Sequence, residues 1–166
     1  DLQNANLLRV IDRRKGLPVA LGILYIDIGR AQGWAMSGLN FPGHFLIRLD
    51  LGGERAVLDP FHAGLERSVE QMRELLKAVA GDSAELRPEH WATVSDRDIL
   101  LRLQNNIKLR HLRGDSIGRA LEVLESMQLI APRDPMLWRE AGLLNARIGN
   151  LSTAIEKLEQ FMDSPA

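Results

Sequence analysis

The sequence predicts an α+β protein in two parts, a small antiparallel sheet against a central helix followed by an α-helical region built from repeats. Three observations predict it. Gly52-Gly53 separates two alternating segments, the run from Pro18 to about Gln32 is apolar nearly all round, and an alanine-leucine-glutamate pattern recurs between residues 120 and 159.

The chain opens with a short amphipathic helix over Asn6 to Arg13, with Leu7, Val10 and Ile11 on one side. Arg13-Arg14-Lys15-Gly16 ends it. Three cations there complement the helix dipole, and contact with an anionic partner is the secondary reading. Pro18 suits the first turn of the next helix, where its missing N–H would have had no intrahelical partner. That helix carries Val19, Ala20, Leu21, Ile23, Leu24, Tyr25, Ile26 and Ile28, and Gly33 fits its C-terminal cap. A helix so apolar belongs in the core. Trp34 to Leu39 then gives a short strand and Asn40 to Gly43 a turn.

Phe45 to Leu51 and Glu54 to Asp59 form a hairpin turned at Gly52-Gly53, a two-residue loop that pairs Leu51 with Glu54 and Asp50 with Arg55. Alternation puts His44, Leu46, Arg48 and Asp50 on one face with Arg55, Val57 and Asp59, leaving Phe45, Ile47, Leu49, Ala56 and Leu58 as an apolar face. The same register makes His44 a diagonal neighbour of Asp59, within hydrogen-bonding reach.

Val69 to Val79 reads as an amphipathic helix with Met72, Leu75, Leu76 and Val79 inward. Ala80 to Arg97, polar and carrying Gly81, Pro88 and Trp91, reads as a connector, which divides the chain into residues 1–94 and 95–166. In the second part Ala120-Leu121-Glu122-x-Leu124-Glu125 superimposes on Ala154-Ile155-Glu156-x-Leu158-Glu159 at an offset of 34, the period of tetratricopeptide repeats. Pro135, Trp138 and Gly142 open the second unit, Gly149 breaks between its helices, and Ala154 is the small contact that lets them approach. In the first unit Gly114 is the breaker and Ala120 the small contact, with one extra residue between them. Two such repeats are fewer than the three usually needed to stand alone, so this region should lean on the first part.

Composition narrows the function classes. The 166 residues are 45% hydrophobic and 26% charged, with a net charge of -1. That is enough apolar material for a real core. A balance so close to neutral, with 5% aromatics, argues against nucleic-acid binding. No run reaches the roughly 20 apolar residues of a membrane helix, and no secretory leader opens the sequence, so the expectation is a cytoplasmic protein without membrane association. A start at Asp1, directly before an amphipathic segment, reads as a fragment or processed form lacking an upstream part. The chain has no cysteine, which rules out disulfides, thiolate metal sites and any cysteine nucleophile of its own.

The order of these features, Gly16-Leu17-Pro18-Val19-Ala20-Leu21, Gly33, Pro42-Gly43-His44-Phe45, then Leu58-Asp59-Pro60-Phe61 and Gly64, resembles the transglutaminase-like (papain-like) fold in its SirB-type branch, which carries tetratricopeptide repeats C-terminally. The resemblance spans nearly the whole chain. It implies a cysteine-histidine-aspartate arrangement in which His44 matches the histidine and Asp59 the aspartate. Catalytic relatives place the cysteine two residues after a glycine at the start of the core helix, where the helix N-terminus favours a thiolate. Pro18 stands at that position here. His44 and Asp59 are therefore expected as triad-like remnants, able to position an imidazole but not to form an acyl-enzyme.

The first reading of that pair is mutual satisfaction beside the core. A cleft that holds a peptide or small ligand is the second, and general acid-base or metal chemistry the third. If the strand continued, His62 would point to the face opposite Asp59, so no metal site is expected, and no cofactor either. Ser37 lacks a nucleophile motif, and His90 and His111 read as solvated or repeat-surface residues. Lys108, Arg110, His111 and Arg113 read as solvated helix surface, with a concave groove as the alternative, and Trp138 as repeat packing. Two functions follow from these readings. One is a non-catalytic module that binds a protein or peptide partner through its repeats. The other is a hydrolase or acyl-transferase using His44 and Asp59 with water, a metal or another nucleophile. Oligomeric state has no signature in the sequence.

Overall fold

The computed structural model describes residues 1–164 and resolves the chain into two compact units, Asp1–Ile99 and a second that starts at Leu100. In the first, Asp1 caps a 3-10 turn over Leu2–Ala5, and Asn6 caps α1 (Leu7–Arg13) by accepting from Arg9 N–H at 3.2 Å. Arg14 ends α1 in the left-handed region. Leu17 N–H then donates to Asn4 C=O at 2.7 Å, which sets the start of α2 (Pro18–Ala31) with proline in its first turn.

The apolar helix earns its central place through two glycines. A Cβ on Gly22 would lie 2.2 Å from the Phe45 ring, and one on Gly29 would lie 1.9 Å from Met36 Sδ. With no side chain at these positions, α2 seats directly on the sheet. Strands β1 (Ala35–Leu39), β2 (Ile47–Leu51), β3 (Glu54–Asp59), β4 (Leu65–Glu66) and β5 (Thr93–Val94) form an antiparallel sheet in the order β4-β3-β2-β1-β5. The hairpin has the expected register, Leu51 opposite Glu54 and Asp50 opposite Arg55. Arg55 Nε donates to Asp50 at 3.0 Å across the strands, and Arg48 Nε donates to the other oxygen at 2.7 Å.

Both faces of the sheet are covered. On the face that carries the polar residues, Leu46 and Val57 join Leu39, Phe41, Met72 and Leu76 in one buried cluster, so α3 (Val69–Ala80) closes the side opposite α2. The far end of that face, at Arg48, Asp50 and Arg55, stays polar. A reciprocal capping box between Ser68 and Gln71 starts α3. Residues 80–97 are more than a connector. Ala84, Leu86 and Trp91 pack on the same cluster, and Thr93–Val94 pairs with β1 as an edge strand.

The second unit continues α4 (Asp96–Arg113) into α5 (Ile117–Ile130), α6 (Pro135–Arg147) and α7 (Leu151–Met162). Leu124, Met127, Leu137, Ala141 and Leu144 form its core. The small contacts act as the repeat predicts: Ala120 and Ala154 are buried, and a Cβ on Gly142 would lie 2.6 Å from Leu158. One expectation is corrected. The left-handed residue between α4 and α5 is Asp115, at φ 52°, and Gly149 at φ 82° is its counterpart at the repeat offset. No extra residue separates breaker from alanine, because Asp115 and not Gly114 holds the breaker conformation. A non-glycine residue there costs about 1 kcal/mol. Asp115→Gly should therefore raise stability by about that amount in urea unfolding, whereas Gly114→Ala should not lower it.

Candidate functional site

His44 sits in the segment between β1 and β2, half-buried and flanked by the buried Phe41 and Phe45. Gly43 makes the segment possible. Its φ is +70°, and a Cβ there would fall 2.6 Å from Val79 on α3. Phe41 presents its ring edge-on to His90 at 6.3 Å, while His90 Nδ1 accepts from Arg87 N–H at 3.1 Å. His90 thus fixes the 3-10 turn Pro88–Trp91 and is not a merely solvated residue. It also lines a cleft of about 280 Å³ with Pro42, Leu76, Ala80, Glu85 and Arg87. A second, apolar cavity of about 260 Å³ lies between α2 and the sheet, among Tyr25, Ile28, Trp34, Met36, Leu49 and Leu58. Neither lining includes His44 or Asp59.

Asp59 is fully buried. It ends β3, and Pro60 opens a 3-10 turn, Pro60–His62, because proline has no N–H to continue the ladder. One carboxylate oxygen accepts from Phe61 N–H at 3.0 Å and His62 N–H at 3.3 Å, as an Asp-Pro turn favours. The other accepts from Arg67 Nε at 3.1 Å and Nη2 at 2.8 Å, and lies 2.8 Å from His62 Nδ1. Burial pushes the carboxyl upward, but the hydrogen bonds and charges of Arg67 and His62 outweigh it, so Asp59 is held below the usual carboxylate value.

The expectation for His62 is thereby overturned. The strand does not continue past Asp59, and the 3-10 turn rotates the imidazole back onto the carboxylate with its ring about half exposed. Arg67 was not foreseen at all. The Asp-Pro pair, a turn initiator, was the signal available for both, since it predicts a chain reversal that brings following donors onto the aspartate. Among the described residues no group of three histidine, cysteine or acidic side chains is placed to hold a metal ion. No helix among them is long and apolar enough to cross a membrane.

Pro18 occupies the first helical position of α2, half-buried, behind an N-cap residue, Leu17, that has no capping side chain. In the second unit Lys108 is buried and paired with Glu140 of α6, which corrects its reading as a solvated residue. Trp138 Nε1 donates to Pro132 C=O at 3.1 Å, and its ring lies under Lys157 Nζ at 4.8 Å, so it joins the α6–α7 packing.

Comparison with known proteins agrees with this architecture. The profile described as transglutaminase-like superfamily matches residues 1–105, and a tetratricopeptide repeat profile matches residues 107–165. A UPF0162 protein of Xylella fastidiosa (strain Temecula1) is 30% identical over 168 residues, covering 98% of this chain and 59% of the relative. A UPF0162 protein of Vibrio cholerae is 30% identical over 164 residues, covering 98% and 60%. F-box only protein 21 of Mus musculus is 40% identical over 58 residues, 35% of this chain and 9% of its own length. The chain thus spans about three fifths of the length of the UPF0162 relatives. No solved structure matches it. A central helix seated on an antiparallel sheet, the Pro-Gly-His-Phe and Asp-Pro-Phe segments, and helical repeats that follow in the chain agree with the matched profiles, and this chain belongs to the transglutaminase-like superfamily, in a form that carries a tetratricopeptide region.

Proposed function

We propose that this protein is a SirB-type member of the superfamily that has lost its nucleophile and works by binding, as a protein-interaction or regulatory module acting through its cleft and its helical repeats. The observation that carries the reading is Pro18 at the start of α2, in a chain without cysteine. Proline offers no atom that can attack a carbonyl. In this proposal residues 1–94 form the transglutaminase-like part and 95–166 the repeat part. His44 and Asp59 are remnants of a triad, with the carboxylate now serving Arg67, His62 and its own turn. A bacterial, cytoplasmic setting and a protein or peptide partner belong to the same proposal, as do the absence of a nucleic-acid partner and of a cofactor. Tetratricopeptide repeats generally mediate protein–protein contacts, which supports the repeat region as the surface that meets the partner.

A second reading rests on Asp59 and His62. A buried carboxylate 2.8 Å from Nδ1 of a half-exposed imidazole is an arrangement a general base can use on water. Hydrolysis of p-nitrophenyl acetate and of a peptide p-nitroanilide separates the two. The binding reading expects the same slow rate from the wild type, His44→Ala and His62→Ala. A wild-type rate about a hundredfold or more above that of His62→Ala would establish the hydrolase.

A further inference from the structure

The cleft of about 280 Å³ that Pro42 and His90 line carries charge of both signs over an apolar floor. Pro42, Leu76 and Ala84 make the floor, the last two as members of the cluster between the sheet and α3. The chain after α3 explains the charges. Burial alternates along it: Ala84 and Leu86 pack on that cluster, whereas Glu85 and Arg87, on either side of Leu86, are exposed and line the cleft together.

The fold holds neither charge firmly. Among the described residues Glu85 has no ion-pair partner. Ala80 brings to the same cleft the C-terminal end of α3, the negative pole of its dipole. Arg87 meets Glu89 at 3.8 Å, and both side chains are strongly exposed, so an incoming carboxylate displaces that contact at little cost. His90 accepts Arg87 N–H at Nδ1, which leaves its own proton on Nε2 and makes the ring a hydrogen-bond donor.

We propose that this cleft binds a free α-amino acid with an apolar side chain of about leucine size. Its carboxylate pairs with Arg87 and His90, its ammonium with Glu85 and the carbonyl end of α3, and its side chain lies on Pro42, Leu76 and Ala84. The proposal rests on the reading of the protein as a binding module and names the ligand of its cleft. Charge of both signs selects a zwitterion, because a plain acid or a plain amine leaves Glu85 or Arg87 unmatched. The end of a peptide chain carries only one of the two charges. Size follows from volume: a cavity of about 150 Å³ holds benzene, so 280 Å³ holds about eleven non-hydrogen atoms, room for leucine or methionine.

Isothermal titration calorimetry with the full chain tests it, with leucine, N-acetylleucine, leucinamide and glycine as probes. Leucine should bind saturably, and each of the other three at least about fivefold more weakly. The variants should cross. Arg87→Gln should weaken leucine about fivefold and leave leucinamide unchanged, whereas Glu85→Gln should weaken leucine as much and leave N-acetylleucine unchanged. Both side chains are exposed, so the helical circular dichroism should stay that of the wild type. Absence of binding heat from every probe up to about 10 mM would overturn the proposal. So would equal binding of leucine and its two singly charged analogues, or leucine binding indifferent to both variants. Those results, without turnover, leave the binding-module reading standing. Turnover of leucine p-nitroanilide that is lost in His62→Ala would overturn that reading instead.

Discussion

Asp59→Ala should lower the stability of the first unit by about 3 kcal/mol in chemical denaturation, because it leaves a largely buried guanidinium and two backbone N–H groups without their acceptor. Asp59→Asn should cost roughly half as much, keeping the acceptor for the turn while losing the charge that Arg67 faces. Asp50→Ala should have a much smaller effect, since Asp50 joins two arginines on a solvated stretch of the sheet. The acid limb of stability follows from the same carboxylate. Folding lowers its pKa below the unfolded value of about 3.9, so the unfolded chain binds the proton more readily across that interval. The contribution is then complete above about pH 5 and is lost as pH falls through the folded value. Asp59→Asn should flatten the dependence of wild-type stability on pH between about 5 and 2.

Glu140→Ala is the second large effect. Lys108 is 3% exposed and its ammonium is paired with Glu140. Removing the acid strands a buried cation, which should cost about 2–3 kcal/mol in the unfolding of the repeat unit. Lys108→Met should do far less, within about 1 kcal/mol of the wild type, because it fills the same space without a charge and leaves Glu140, about a third exposed, free to hydrate. The asymmetry between the two single variants identifies a buried pair. A surface pair would lose little from either change.

The hairpin was legible because local chemistry and long-range packing agree there: two glycines set the loop, alternation sets the faces, and Asp50 meets Arg55 in the register they dictate. The core helix was legible from the span of its apolar residues, with the closest seating on the sheet at Gly22 and Gly29. Strands of two residues at either edge left no period to read, so Leu65–Glu66 and Thr93–Val94 went unseen. Leu46 and Val57 were placed on the polar face by alternation, and only the arrival of α3 buries them. The site was harder, for a related reason. Extending the strand past Asp59 sends His62 away from it, whereas Pro60 stops the strand and the turn returns His62 and Arg67 to one carboxylate. Lys108 could not be recognised as buried, because its partner lies on another helix. The breaker between the first two repeat helices was assigned to Gly114 on residue type alone, while the 34-residue offset points to Asp115 as the match of Gly149.

Under the proposed reading, chemistry was lost at one atom, at the position Pro18 now fills in the first turn of α2. The direct measurement is the alkylation rate of Pro18→Cys by iodoacetamide at pH 6 to 7, in a chain that otherwise lacks cysteine, against Ser152→Cys as a surface reference. The claim predicts a thiol at least about tenfold more reactive than the reference, with that gain removed when His44→Ala is added to Pro18→Cys. A cysteine at position 18 that reacts no faster than the reference, or at a rate indifferent to His44, would contradict it.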